Sequence, residues 1–349
     1  MLILGIETSC DETSAAIVSE HDGVWSIGSN IVASQVAIHR EWGGVVPELA
    51  SRQHIRDICG VVRTALDTAN IDLKDIDAIA VTQGPGLVGS LLVGVAFAKS
   101  LALSLSRPLI PVHHLAGHIE SLFLQHGRIP LPLVVLVVSG GHTSLYVVNK
   151  LGSYRRIGRT RDDAAGEAYD KVAKLLGLGY PGGPMVDKLA REGNDEAIDL
   201  PKTRMTHADR NAPTVKGDLD FSFSGLKTAV LRHVRERTEN GALPLGDKAI
   251  ADICASFQRV VVDTLLDRLF ESADRVGARS VGIAGGVSAN ARLRHDLVGR
   301  GQLAGLPAFV PHLSLSTDNA AMIAAAGLRN YYAGVRAAWD LNADPSLEL

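Results

Sequence analysis

Two stretches of the chain carry the same pattern of apolar and polar positions. Residues 2–6 are apolar, residues 8–14 read Thr-Ser-Cys-Asp-Glu-Thr-Ser, and residues 15–18 are apolar again. Residues 133–138 are apolar, residues 139–144 read Ser-Gly-Gly-His-Thr-Ser, and residues 145–148 are apolar again. Short apolar runs around a turn of small, hydroxyl-bearing residues predict β-hairpins. Each hairpin is followed by a further strand and then by alternating helix and strand, the order of an α/β lobe. Periodicity predicts helices over 46–69, 87–106 and 114–125, and then over 165–176, 185–192, 224–237, 248–276, 290–300 and 318–333. The expected fold class is α/β, with similar lobes at 1–130 and 131–335 around a cleft and a tail at 336–349. The segment 194–220 breaks the rhythm. It is polar, has prolines at 201 and 213, and predicts an insertion that rests over the cleft or contacts a partner.

Composition narrows the class without naming a chemistry. Hydrophobic residues make up 46% of the 349 and charged residues 21%, the balance of an ordinary soluble globular protein. A net charge of −3 excludes a chain that is basic throughout. The charge is uneven, because residues 200–237 hold eight Lys/Arg against four Asp/Glu. Around Lys202, Arg204, Arg210 and Lys216 this stretch is either a basic surface that guides a polyanion or a solvated loop. Cys10, Cys59 and Cys254 form no C-x-x-C pair, which points to a reducing compartment and against a disulfide framework. The start, Met-Leu-Ile-Leu-Gly-Ile-Glu, has no basic residue, so a strand is expected there and not a signal peptide. The apolar helix at 87–106 contains Lys99 and is expected to be buried, with Gly86, Gly89 and Gly94 admitting a neighbouring backbone. A cytoplasmic protein with no membrane association is the expectation.

The densest chemistry lies at residues 112–122, V-H-H-L-A-G-H-I-E-S-L. His114 and His118 are four apart, on one helix face, so both imidazoles can reach one metal ion. As an exposed pair they would contribute little to the core. His113 is out of that register, and Leu115 and Ala116 stand where H-E-x-x-H would carry its glutamate, so a zinc-protease base is missing. A third ligand is available in Asp318, which is otherwise an acid at a helix N-terminus. Two imidazoles and a carboxylate suit Zn²⁺ or Fe²⁺. The turn from Glu7 to Ser14 packs three carboxylates among hydroxyls, suited to phosphate, Mg²⁺ or a transferring proton, or is a plain polar hairpin. Gly140 and Gly141 let backbone N–H groups face an anion. Residues 281–290 run from a buried strand through Gly285-Gly286 into a helix, with Asn290 able to bond a ribose or base. Asp187, behind Pro181-Gly182-Gly183-Pro184, either reaches ribose hydroxyls or caps its helix.

With these pieces in place, the chain closely resembles the universal family of tRNA threonylcarbamoyladenosine transferases, called TsaD in bacteria. The matching segments are GIETSCDETS (5–14), GGVVPELASRQH (43–54), GPGLVGSLLVG (84–94), PVHHLAGH (111–118), VSGGHT (138–143), AGEAYDKVAKLLGL (165–178), PGGP (181–184), FSFSGLKT (221–228), GGVSANARLR (285–294) and STDNAAMIA (316–324). They cover nearly the whole chain in order, and the version at 165–178 resembles the bacterial branch. The resemblance implies an actin-like ATPase (ASKHA) fold with two lobes around a nucleotide and metal cleft. It implies transfer of the threonylcarbamoyl group of threonylcarbamoyl-AMP to N6 of the adenosine 3′ of the anticodon, in tRNAs reading codons that begin with A, with release of AMP. By motif, His114, His118 and Asp318 are the implied metal ligands, with Fe²⁺ favoured, Zn²⁺ the alternative, and Mg²⁺ only alongside a nucleoside triphosphate. Val137, Val138, Ser139, Gly140, Gly141, Asp170, Gly183, Asp187 and Asn290 are implied to line the adenylate site, and Asp11 and Glu12 are the candidate catalytic carboxylates. The implied partners are tRNA, an inactive paralogue (TsaB-like) and a small ATPase (TsaE-like).

Three rivals fit the residues less well. A sugar or acid kinase of the same fold leaves the histidine pair idle. A zinc peptidase leaves the hairpins idle and lacks its base. A non-catalytic partner of the same fold would be expected to lose the metal triad.

Overall fold

The computed structural model describes residues 1–205, 217–239 and 245–349. Its first sheet contains β1 (Leu2–Glu7), β2 (Glu12–His21), β3 (Val24–Ser34), β4 (Ala78–Gly84) and β5 (Leu109–His113), in the order β3-β2-β1-β4-β5. β1 pairs antiparallel with β2 and parallel with β4, and β4 pairs parallel with β5. The first hairpin is therefore real, with its turn at residues 8–11 and Glu12 already in a strand.

Side chains of this sheet sort by the two-residue alternation of a pleated strand. Leu4, Ile6, Ile17, Ile79 and Val81 pack with Ile58, Val62, Val95 and Ala98, from helices Pro47–Ala69 and Val88–Leu105. Ile3, Val18, Ala80 and Val112, one residue out of step, pack with the helix Ala320–Tyr332. Both faces of the sheet are thus covered by helices, which is why its strands read as nearly continuous apolar runs. A Cβ on Gly5 would collide with the backbone of Ala320, so this strand must carry glycine where the last helix crosses it.

The second sheet repeats the plan. It contains β6 (Leu133–Val138), β7 (Thr143–Lys150), β8 (Ser153–Arg159), β9 (Ser280–Ala284) and β10 (Ala308–Phe309), ordered β8-β7-β6-β9-β10. β6 is antiparallel to β7 and parallel to β9, as β1 is to β2 and β4. Its core gathers Leu136, Leu145 and Ile283 with Tyr169, Phe257 and Leu265 from helices Ala165–Leu175 and Asp247–Val276. The same strand order twice, each with a leading hairpin, is the duplicated α/β arrangement of the actin-like ATPase fold.

The chain divides into two compact units, but not at the expected boundaries. One unit contains residues 1–129, 150–154 and 311–349, and the other residues 130–149 and 155–310. The helix expected to close the second lobe and the tail at 336–349 both belong with the first sheet. The expected insertion also differs from its prediction. Its described part lies along the helix Asp247–Val276: Asn194 N donates to Asp252 Oδ1 at 2.6 Å, and Ile198 N to Ser256 Oγ at 3.2 Å. Lys202 and Arg204 pair with Asp267 and Glu271 of that helix, so neither belongs to an unpaired basic surface. Arg210 and Lys216 lie outside the described residues. The helix Val88–Leu105 is long and apolar enough to cross a membrane by length and composition alone. Here one side of it packs on the first sheet while Val88, Leu92 and Leu103 stay exposed.

Candidate functional site

β5 ends at His113, and the helix His114–His126 begins at the next residue. His113 is the cap: its Nδ1 accepts the N–H of Leu115 at 3.1 Å. His114 and His118 follow on one face, with ring centroids 4.7 Å apart. The pair is not exposed, as the sequence suggested, but buried at 5% and 0% exposure. Asp318 arrives from the far end of the chain. Its neighbour Asn319 caps the helix Ala320–Tyr332 by accepting the N–H of Met322 at 3.1 Å, so Asp318 itself is not the cap. That helix is locked to the histidine helix by Arg329, which donates to the buried Glu120 at 2.8 Å.

The three side chains converge. Asp318 Oδ1 lies 3.2 Å from His118 Nε2 and 3.6 Å from His114 Nε2. Two ligands on one ion at bond lengths near 2.1 Å stand roughly 3.0–3.5 Å apart, so these separations suit a shared metal. His118 supplies a second sign. It is wholly buried, its Nδ1 has no hydrogen-bond partner, and its Nε2 meets only Asp318 Oδ1, an arrangement that costs stability unless something binds there. Its basicity is pushed down by burial, with the Asp318 contact offsetting this only in part. For His114, burial works against the charged ring, but Asp318 and Glu7 outweigh it and hold the pKa up at about 9.

Glu7, at the end of β1, is the residue that motif reading missed in this role. Its Oε2 lies 3.1 Å from His114 Nδ1 and accepts from Thr82 Oγ1 at 2.8 Å, while Oε1 accepts from the N–H of Ser9. This holds a proton on Nδ1, so Nε2, which faces Asp318, is the nitrogen that would bind a metal once it gives up its own proton, the usual carboxylate support of a metal-binding histidine. The available signal was a glutamate closing an otherwise apolar strand. Asp11 and Glu12 lie beside this group. Burial, then the charges of Asp318 and Asp11, hold the Glu12 carboxyl well above the ordinary range for a glutamate.

Of the residues expected around an adenylate, residues 137–141 run from the end of β6 into its turn and Asn290 follows β9, while Asp170, Gly183 and Asp187 lie on the helices Ala165–Leu175 and Gly182–Ala190. Val137 and Val138 are fully buried at the end of β6. Ser139 Oγ accepts from His142 N at 3.2 Å and closes the turn. Gly285 has φ +89°, and a Cβ there would stand 2.5 Å from Val138 O, so the Gly285-Gly286 motif packs directly on the β6–β7 hairpin. Asp170 Oδ1 accepts from Gly182 N at 2.7 Å and caps the helix Gly182–Ala190. Asp187 is therefore well inside that helix and not at its start, which removes the capping alternative. Its Oδ2 pairs with Arg191 at 2.8 Å, and its Oδ1 is buried without a partner. Asn290 is more committed than expected. Its Oδ1 accepts from Leu293 N at 2.9 Å as a helix cap, and its Nδ2 donates to Gln258 at 2.7 Å. Two buried hydroxyls that the sequence did not single out, Tyr169 and Ser288, also lack partners.

The family model described as tRNA N6-adenosine threonylcarbamoyltransferase matches residues 26–325. The chain belongs to the tRNA N6-adenosine threonylcarbamoyltransferase family. A member from Anaeromyxobacter sp. (strain Fw109-5) is 52% identical over 351 residues, covering 100% of both chains. Another from Symbiobacterium thermophilum is 53% identical over 348 residues, covering 100% of this chain and 97% of the other. The activity of this threonylcarbamoyltransferase is thus the formation of threonylcarbamoyladenosine in tRNA, and His114, His118 and Asp318 form a group able to hold a divalent metal. Among solved structures, full-length HypF in its phosphate- and nucleotide-bound form aligns with TM-score 0.58 at 15% identity, over 95% of this chain and 46% of that one. The (R)-2-hydroxyglutaryl-CoA dehydratase component A of Acidaminococcus fermentans aligns with TM-score 0.51 at 16% identity, over 95% and 97%. These likenesses concern the fold alone.

Proposed function

We propose that the donor is threonylcarbamoyl-AMP and the acceptor N6 of the adenosine 3′ of the anticodon, in tRNAs reading codons that begin with A. The observation that carries the reading is the buried His114–His118–Asp318 group, whose ligand atoms converge, with a carboxyl of raised proton affinity beside it. His114, His118 and Asp318 would hold Fe²⁺ by preference, or Zn²⁺; Mg²⁺ would enter only with a nucleoside triphosphate. When bound, such an ion supplies Lewis acidity toward a carbonyl or phosphoryl oxygen.

On the second unit, the backbone of Val137, Val138, Ser139, Gly140 and Gly141 and the residues Asp170, Gly183, Asp187 and Asn290 bind the adenylate. The partnerless Asp187 Oδ1 suits a ribose hydroxyl. In the transfer, the N6 amine bonds to the carbamoyl carbon, the bond from that carbon to the phosphate oxygen breaks, and AMP leaves with the electron pair. Glu12 accepts the amine proton, because a carboxyl with raised proton affinity is a more effective base once ionised. Burial first, then the charges of Asp318 and Asp11, raise that proton affinity. The donor is already activated, so positioning and charge stabilisation carry most of the rate. The reaction takes place in the cytoplasm with an inactive paralogue and a small ATPase as helpers.

The test is incubation of the metal-loaded protein and both helpers with threonine-labelled threonylcarbamoyl-adenylate and unmodified tRNA. Label should enter tRNA with one AMP released per transfer. Glu12→Gln should slow transfer with nucleotide binding intact, and Asp187→Ala should weaken nucleotide binding about tenfold with normal metal content. No label in tRNA with either Fe²⁺ or Zn²⁺ overturns the reading.

A further inference from the structure

Gly84-Pro85-Gly86 and His113 hold neither metal nor nucleotide, yet both touch one stretch of backbone near the end of the chain. Ala337 N donates to Leu109 O at 2.8 Å, Asp344 N to Gln83 O at 2.9 Å, and Gly86 N to Pro345 O at 3.3 Å. Lys99 Nζ donates to Leu341 O at 3.0 Å, and His113 Nε2 lies 3.0 Å from Leu347 O. This stretch follows β5 from its first residue to its last. A Cβ on Gly84 would collide with the carbonyl of Asp344, so the crossing is possible only over glycine.

Two routes lead from this stretch to the metal ligands. The first is His113. Its Nδ1 accepts the Leu115 N–H, so Nε2 must carry the ring proton and donate it to Leu347 O. The imidazole is thereby fixed as neutral, in one tautomer, at the cap of the helix whose first residue is His114. The second is Gly86, where a Cβ would stand 2.6 Å from Ser9 O. Ser9 in turn has Oγ 3.2 Å from His114 Nδ1 and gives its N–H to Glu7.

We propose that residues 344–347 form a strap that positions the metal ligands, with His113 as the positioning residue through which it acts. Docking of the strap raises the affinity of the His114–His118–Asp318 group for its divalent ion. This inference rests on the metal reading above.

The test uses the full chain stripped of metal and titrated with Zn²⁺ or Mn²⁺ against a competing chelator. His113→Asn keeps an acceptor for the Leu115 N–H but loses the donor to Leu347, and Gly84→Ala evicts the strap without touching its residues. Each should weaken metal binding by about tenfold or more, as removal of supporting contacts around metal ligands does. Both should keep wild-type helix content, and both should change the visible spectrum of the Co²⁺-loaded protein. The double variant should be no weaker than the worse single, since Gly84→Ala already removes the partner that His113→Asn loses. Wild-type affinity in both singles, or losses that multiply in the double, overturns the strap. If Gly84→Ala does not fold, His113→Asn and its spectrum decide alone. A wild-type protein that binds no metal overturns this inference together with the metal reading, which separates that failure from failure of the strap.

Discussion

Glu7→Gln isolates the support of the metal centre from the ligands themselves. The substitution keeps the volume of a fully buried side chain, so core packing should survive. Its hydrogen bonding cannot survive. Glu7 now accepts on one oxygen from the Ser9 N–H and on the other from Thr82 Oγ1 and His114 Nδ1. A glutamine has only one acceptor. If the amide oxygen faces His114, the NH₂ group meets the Ser9 N–H, donor against donor. If the oxygen faces Ser9, the NH₂ group meets His114 Nδ1, which must then accept, and the ring proton moves to Nε2. That proton would occupy the lone pair aimed at Asp318, 3.6 Å away. Hydrogen bonds to a charged group contribute about 1.5–3 kcal/mol, and loss of such support costs metal sites roughly 10–100-fold in affinity. Chelator competition on the metal-free protein should therefore show Zn²⁺ or Mn²⁺ binding weaker by one to two orders of magnitude, and the metal-free form should melt lower as well, because a buried donor is left unsatisfied. Wild-type metal affinity in a folded Glu7→Gln protein would refute the reasoning and reduce Glu7 to a hairpin residue.

Two further outcomes follow from the geometry. Gly140→Ala and Gly183→Ala each add a methyl that meets nothing within 4 Å, so thermal stability should hold while AMP affinity, read by calorimetry, falls about tenfold; Gly285→Ala, at φ +89° against Val138 O, should instead lose about 1–3 kcal/mol of stability in denaturant titration. Burial lowers the pKa of His54, so it contributes stability that is present above its unfolded value of 6.5 and is lost as pH falls below that value; the melting temperature should drop less between pH 7 and pH 5 in His54→Gln than in the wild type, and equal drops would rule the linkage out.

Much of the fold was legible because hydrophobic periodicity reports which face of an element is buried. The hairpins and the helices at 47–69, 165–175 and 247–276 stand within a residue or two of their predicted bounds. Periodicity does not report which sheet does the burying. The run from Ala320 to Leu328 is buried on every side, a pattern that fits any core, and it was assigned to the nearer lobe in sequence instead of to β1. The mark of its true partner is Gly5 at the opposite end of the chain. Asp187 was misplaced for a local reason. Pro-Gly-Gly-Pro reads as a turn, but proline is tolerated in a first helical turn, and the helix already begins at Gly182. The histidines were expected outside because imidazoles are polar. Only the convergence of Glu7, Asp318 and the last helix explains why they can be inside.

The glycines carry the same lesson one step further, because their motifs mix two physical kinds that look alike as letters. At Gly5, Gly84, Gly86 and Gly285, the space a Cβ would take is already filled by the chain's own backbone. These glycines are required by the fold whether or not anything binds. At Gly140, Gly141, Gly183 and Gly286, that space is empty, and φ lies outside the left-handed region. Neither packing nor backbone conformation demands glycine there, although it costs about 0.5–1 kcal/mol in chain entropy relative to alanine. The adenylate site proposed above would account for these four, through a ligand whose oxygens come close to backbone N–H groups. Gly140, Gly141 and Gly286 follow β6 and β9, and Gly183 stands one turn before Asp187 in its helix; Gly44, Gly60, Gly246 and Gly299 are equally open and have no part in that proposal. The filled positions include the two, Gly84 and Gly86, that carry the strap to the metal ligands. One residue type thus serves the fold at some positions and leaves room for a ligand at others, and what separates them is what occupies the missing side chain's place.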